Sequence, residues 1–411
     1  MNIAFRPSPP TAPDAPEPLG SASVARVEVF DDLAAAEPAW RKLIDRDAVA
    51  SPYQAYDWVR LWHHHVSPHG DMTPCVIVGY DAADEPVFLW PFVRDTFGPF
   101  RIATFFGGKH ATINMALWRR DVADGFTAAD MKAVLARVAA MAPDLDLLLL
   151  FNQPYRWSEA ANPFALLPKH RSTEDNFVLR LGGSSAEILE RELSSSTRSR
   201  LRNKEKKLQK LKDYRYVRAR TAPEVDFQLA SFFKQKAEKF TALGLHDVFA
   251  DPGVEGFIRA ACHEGLDAGK PVIELHALEA DGEMLALFSG IHDGQRFTSN
   301  FNSHTGSDHA RHSPGLILLQ YLVADCADRG FASFDIGPGE ARYKSSFCKD
   351  LEPIFDSVLP LSARGHAAAL ALRLMFRTKS AIKHNRLLWT VASFVRRSLN
   401  KAKSETKPGN D

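Results

Sequence analysis

Cysteine is scarce in this chain. Only Cys75, Cys262, Cys326 and Cys348 occur in 411 residues, and none stands at a metal-binding or redox spacing. Such usage excludes a disulfide framework and predicts reduced core thiols in a cytoplasmic protein. Long apolar runs are missing too: nowhere do ~18 apolar residues follow one another, so no membrane-spanning helix is expected. A metal site is likewise not expected. His304, His309 and His312 share a loop and His63, His64 and His65 are consecutive, yet no Glu or Cys completes a zinc-like set. The first 23 residues hold six prolines and little to bury, without a basic stretch leading into an apolar core. They read as a disordered arm over 1–23 and not as a signal peptide.

Charge is present in quantity but unevenly spread. Arg198 to Arg220 carries eleven Lys or Arg against two acids, and Arg364 to Asp411 repeats those counts, so each segment holds +9. With a net charge of +1, the remainder holds −17. Two basic segments on an acidic body suit an anionic partner, whether phosphate, nucleic acid or membrane, or else form solvated helix faces.

Hydrophobic periodicity divides the chain into an N-terminal unit over 24–182, a second over 183–362 and a tail over 363–411. Each unit reads as helices, antiparallel hairpins, a helix and a further strand. In the first, CVIVGY, VFLWPFV and RIATFF precede a helix near Ala128–Met141 and the strand LDLLLLF, and NFVLRL closes the unit. In the second, VIELHAL, EMLALFSGI and QRFTSNFN are joined at Asp281-Gly282 and Asp293-Gly294, pairs that favour tight hairpins. The expected fold class is therefore α+β: two tandem copies of one plan, with mixed, mostly antiparallel sheets flanked by helices. The tail spaces Leu, Phe, Ile, Trp and Val among Lys and Arg at helical intervals. It is expected to pack on its own domain or to lie on an anionic membrane at the inner face of the cell.

The stretch HSPGLILLQYLVADCADRGFASFDIGPGEARYKSSF, His312 to Phe347, carries the chemistry. Ser313 suits an N-cap and Pro314 the first helical position. Gly315 lets a ligand approach the backbone, and the free N–H groups of a helix start bind phosphate. Arg311, His312, Ser313, Pro314, Gly315 and Leu316 form the candidate phosphate site, to which Arg311 and His312 would add charge. After FASFDI, Gly337-Pro338-Gly339 must turn sharply, and Glu340, Arg342, Tyr343 and Lys344 crowd the next loop. Tyr343 is the candidate acid; Asp335, Glu340 or His304 is the candidate base or orienting group.

Ser313, Pro314, Gly315, Gly330, Asp335, Gly337, Gly339, Tyr343, Lys344 and Phe347 together resemble the motif of CelD/BcsL-type acetyltransferases. These are a branch of the GNAT superfamily related to the Fem-type aminoacyl transferases, which also pair two GNAT-like domains. TRSRLRNKEKKLQKL and FFKQKAEKFTALGLHDVF are similar to the basic helix and following helix of that family. The resemblance covers most of Val24 to Pro360, outside the arm and tail. It implies a catalytic second unit and a degenerate first unit that shapes the substrate cleft. Arg311 to Gly315 stands where GNAT enzymes commonly have Gln/Arg-x-x-Gly-x-Gly/Ala. Acetyl-CoA or a longer acyl-CoA is the implied co-substrate, with Lys236, Asn302 and Lys344 as candidate substrate contacts.

The implied function is acyl transfer from a thioester to an amine of an envelope or exopolysaccharide precursor or an amino-lipid. One alternative is a Fem-like transferase using aminoacyl-tRNA, the only setting in which nucleic acid is expected. The other is a non-catalytic accessory protein of polysaccharide synthesis.

Overall fold

The computed structural model describes residues 24–339 and 341–384. The Pro-rich arm, the candidate Glu340 and the tail beyond His384 thus lie outside the described residues. In the first half, β1 (Arg26–Phe30), α1 (Leu33–Asp45) and α2 (Tyr56–His65) precede the meander β2 (Thr73–Tyr80), β3 (Pro86–Phe97) and β4 (Phe100–Phe105). Helix α3 (Ala128–Met141), strand β5 (Leu147–Pro154) and strand β6 (His170–Arg180) follow. The second half opens with α4 (Ser185–Glu192), α5 (Ser195–Leu208), β7 (Arg215–Arg218), α6 (Ala222–Leu243) and α7 (Val254–His263). The meander β8 (Glu274–Ala280), β9 (Glu283–His292) and β10 (Arg296–His304) then leads to α8 (Pro314–Asp328) and β11 (Ser333–Pro338). Helix α9 (Arg342–Phe347), strand β12 (Leu351–Pro360) and helix α10 (Ala363–His384) end the described chain.

Local chemistry sets the boundaries. Thr221 and Glu224 form a reciprocal capping box at the start of α6, and left-handed Gly244 ends it. The β8–β9 turn uses Asp281 and Gly282, both at positive φ as expected of a tight hairpin. At the β9–β10 turn only Gly294 does so, because the Asp293 carboxylate accepts the N–H groups of Gln295 and Arg296 and shapes the turn itself.

The duplicated α+β plan is present, but the two expected sheets are one. Among the described residues the strand order is β1-β2-β3-β4-β5-β12-β6-β11-β10-β9-β8-β7, with two short strands pairing to one side. Each half contributes five strands and one parallel pair, β4 with β5 and β10 with β11. The closing strands are exchanged. Strand β12 pairs with β5 of the first half, and β6 pairs with β11 of the second, so each half is completed by the other's last strand. Nothing in the hydrophobic pattern distinguishes a strand paired within its own unit from one paired across the seam.

At the seam the Arg296 guanidinium donates both arms to Glu352 at 2.9 Å and lies 4.3 Å over the Trp157 ring. Farther along the same sheet, Arg329 after α8 forks onto the buried Glu274 carboxylate at 2.7 Å on each oxygen. His276 and His292 also reach Glu274, and the Tyr216 hydroxyl lies 2.7 Å from His276 Nδ1. Burial alone would raise the Glu274 carboxyl, but these hydrogen bonds outweigh it and hold the group well below its ordinary range.

Helix α10 packs against β12, β4 and β5. Gly365, Ala368, Ala369 and Leu372 turn inward, the last three against Ile102, Leu147, Leu149 and Val358. A Cβ at Gly365 would fall 1.8 Å from the Asp146 carbonyl oxygen, so only glycine permits this approach. Gly365→Ala is expected to lower stability by ~1–3 kcal/mol, typical of overpacking. Urea unfolding and limited proteolysis after Ser362 would register the loosened helix.

Candidate functional site

Strands β10 and β11 run parallel through Arg296–Ser333, Phe297–Phe334 and Thr298–Asp335, and the register stops there. Beyond Thr298, β10 has no strand partner on that side among the described residues. Its other side carries a bulge between Phe288 and Gly290, where Ser289 Oγ donates to the Phe301 carbonyl and accepts the Phe301 N–H, both at 3.0 Å. One ladder position is thus supplied by a side chain, which turns the end of β10 away from β11. The separated strands leave backbone polar groups to be satisfied by whatever enters between them.

A cavity of about 260 Å³ lies beside this point. Phe288, Asn302 and His304 line it from the strands, Ser313 to Leu316 from the start of α8, and Tyr343 from α9. Candidates up to 41 positions apart, Asn302 and Tyr343, therefore line one cavity. The half-buried Tyr343 hydroxyl bonds to Asn302, and burial pushes its pKa above the ordinary phenol value against that bond. His304 Nδ1 lies 3.1 Å from the Thr305 carbonyl, which can only accept, so in the neutral ring Nε2 carries the lone pair. A Cβ built on Gly315 meets nothing within 4 Å, which leaves the backbone open on the cavity side.

Ser313 does not cap the helix as expected. It adopts a left-handed backbone (φ 56°, ψ 52°), its side chain makes no capping bond, and its hydroxyl oxygen instead accepts from Lys204 Nζ at 2.7 Å. Lys204 comes from α5, the basic helix, which lies over the start of α8. Two tyrosines fix that approach: Tyr214 and Tyr321 both donate to Glu205, the one acid of α5, at 3.1 and 2.6 Å. With Glu205 turned inward, Lys204 and Lys207 face Arg311, His309 and His312 across an open cleft. Partial burial and the charges of Arg311, Lys207, His309 and Lys204 push the His312 pKa down. Lys204 and Lys207 stand beside it and add positive charge to the cleft. The basic run itself was the only sequence signal for Lys204 and Lys207.

Other candidates lie elsewhere. Asp335 is fully buried at the last β10–β11 pair, does not line the cavity, and accepts from Gly337 N (2.7 Å) and Asn176 Nδ2 (2.8 Å). Burial raises its pKa against Arg296, whose guanidinium stands 4.0 Å away. It holds the exchanged strand and the glycine turn. Lys344 is buried as well, and its ammonium donates to the carbonyls of Gly337 (3.0 Å) and Pro338 (2.8 Å). It staples the Gly337-Pro338-Gly339 turn, whose two glycines both have positive φ. Lys236 is partly buried across the sheet, among Phe232, Phe240 and Phe249 with the nearest ring centre 5.1 Å away. Burial pushes its pKa down to about 8. Among the described residues no group of His, Cys, Asp and Glu is arranged to hold a metal ion.

Residues 195–345, which contain this cavity and cleft, match the family model described as an acetyltransferase (GNAT) domain. This stretch of the second half is similar in sequence to a GNAT acetyltransferase domain. The protein is accordingly a transferase. A comparison with curated proteins finds no match. Among solved structures, FemX is similar at 10% identity and a TM-score of 0.54, covering 79% of this chain and 96% of that one. A conserved protein of unknown function from Bacteroides thetaiotaomicron is similar at 12% identity and a TM-score of 0.51, covering 81% and 100%. At such identities the likeness shows a common fold. It extends across both halves, beyond the GNAT domain matched by the family model.

Proposed function

We propose that the protein transfers an acyl group from acetyl-CoA or a longer acyl-CoA to an amine. The observation that carries this reading is the contact of Lys204 with Ser313, which sets a cationic cleft at the start of α8 beside the cavity holding Tyr343. Phosphates of the donor would meet the backbone at Gly315, at the start of α8, together with Lys204, Lys207 and Arg311. The amide-bearing arm would run along the unpartnered edge of β10. Holding donor and amine together replaces much of the entropy cost of a bimolecular encounter. In the step itself the amine nitrogen bonds to the thioester carbon and the carbon–sulfur bond breaks. Tyr343, kept protonated by its burial, gives its proton to the departing sulfur. His304 Nε2 takes the proton of the amine, and Glu340 is the second candidate for that task.

The CelD/BcsL-like motif favours an amine on an envelope or exopolysaccharide precursor or an amino-lipid. A second reading, transfer from aminoacyl-tRNA, rests on Arg200, Arg202 and Lys206, exposed along α5, and on Lys210 just beyond it, none in an ion pair among the described residues. RNA binding with a steep salt dependence would favour it.

Thermal unfolding against CoA, acetyl-CoA and palmitoyl-CoA tests the donor. A ligand at a hundred times its Kd stabilises by ~2.7 kcal/mol. That shift should shrink in Lys204→Met, and no shift with any of the three would overturn the acyl-CoA reading. Tyr343→Phe is expected to lower kcat by about 100-fold with little change in KM, the ordinary contribution of a general acid. Unchanged turnover would remove Tyr343 from the chemistry.

A further inference from the structure

Helix α10 has two apolar faces. Gly365, Ala368, Ala369 and Leu372 are spent on the sheet, whereas Ala367, Leu370, Ala371 and Leu374 lie half a turn away and face solvent. Leu370 is 63% exposed and Leu374 56%, among the most exposed large apolar side chains described. The edges of this outer stripe are basic. Arg364 and Arg373 flank it on opposite sides, reaching back to the carbonyls of Pro99 (2.9 Å) and Val358 (3.2 Å).

The Arg364 bond also ties the start of α10 to the tip of the β3–β4 hairpin, where Phe97 is 44% exposed beside the positive-φ Gly98. Phe100, at the base of the same tip, packs into the cluster under α10. A helix stripe and an aromatic hairpin tip therefore adjoin on one side of the first half. An apolar stripe bordered by cations is the pattern of a helix lying in a membrane interface. The segment from Arg364 to Asp411 carries +9 on a protein whose other non-basic parts are acidic. A second copy of the chain would bring the same cations to this face and be repelled, whereas an anionic lipid surface complements it.

We propose that the outer stripe of α10 and the β3–β4 hairpin tip dock the protein onto an anionic lipid bilayer, with Leu370, Leu374 and Phe97 entering the interface. Among the described residues no helix is long and apolar enough to cross a membrane, so the contact is peripheral. It stands apart from the transfer site and does not depend on the identity of the donor.

The full chain is mixed with vesicles of phosphatidylcholine alone and of phosphatidylcholine with one part in three phosphatidylglycerol, and the bound fraction is read by flotation. The expected result is binding to the anionic vesicles that weakens with salt. The double variant Leu370→Asp, Leu374→Asp should bind at least tenfold more weakly, with an unchanged Tm because both side chains are exposed. Phe97→Ser gives an independent, smaller loss. Equal binding by the double variant, absence of binding to anionic vesicles, or equal binding to neutral ones would overturn the proposal. So would a change from dimer to monomer in the double variant by light scattering, which would make the stripe a contact between copies.

Discussion

Gly315→Val is expected to give a folded protein that has lost at least 100-fold in kcat/KM, or ~2.7 kcal/mol of transition-state stabilisation. The fold should survive because a Cβ at Gly315 meets no atom within 4 Å, and α8 is anchored elsewhere through Ile317, Leu318, Leu322 and Val323. The added side chain instead occupies space beside the first turn of α8, in a cavity of only about 260 Å³. It would hold any donor away from the start of α8, where its phosphates are proposed to bind. Steady-state kinetics with a matched Tm measurement checks both halves of the expectation. An active variant would mean that the donor enters by another path.

Arg329→Met should cost ~3–5 kcal/mol of stability at neutral pH, the usual penalty for removing one partner of a buried ion pair. The substitution preserves most of the packing volume but leaves the Glu274 carboxylate, only 4% exposed, with just two histidines to satisfy it. The pH dependence has a defined sign. Glu274 has a folded pKa below its ordinary value of 4.5, so the stability it contributes is fully present above that value and is lost as pH falls below it. The difference in urea midpoint between wild type and Glu274→Gln should therefore be largest at pH 7 and shrink towards pH 3. A constant difference across that range would show that Glu274 acts through packing and not through its charge.

Local signals in the sequence were strong where local physics decides. Pro314 at the first position of α8, the turn at Gly337-Pro338-Gly339, and the meander joined at Asp281-Gly282 all follow from backbone preferences within a few residues. Ser313 to Gly315 and Tyr343 of the motif line one cavity together with Asn302, His304 and Leu316, which were named outside it. Roles set by distant partners were not readable. Ser313 looks like a cap until Lys204, 109 positions earlier, takes its hydroxyl. Asp335 and Lys344 have the chemistry of catalytic groups, but the folded chain surrounds one with Asn176 and Arg296 and spends the other on two carbonyls. The direction of α5's charge depends on Tyr214 and Tyr321 removing Glu205 from its outer face, a choice that helical periodicity does not encode.

The exchange of β6 and β12 also imposes an order on synthesis. The first half cannot cover the free edge of β5 until β12 has been made, and about 206 residues separate the ends of β5 and β12. At ~5–20 residues per second, translation leaves that edge open for roughly 10–40 s. An uncovered strand of the sequence LLLLF is a template for unwanted pairing. A nascent chain would carry that exposed edge until β12 emerges. Release of a chain truncated before Leu351 would deprive both halves at once, the first of a strand and the second of the neighbour that holds β6 in place.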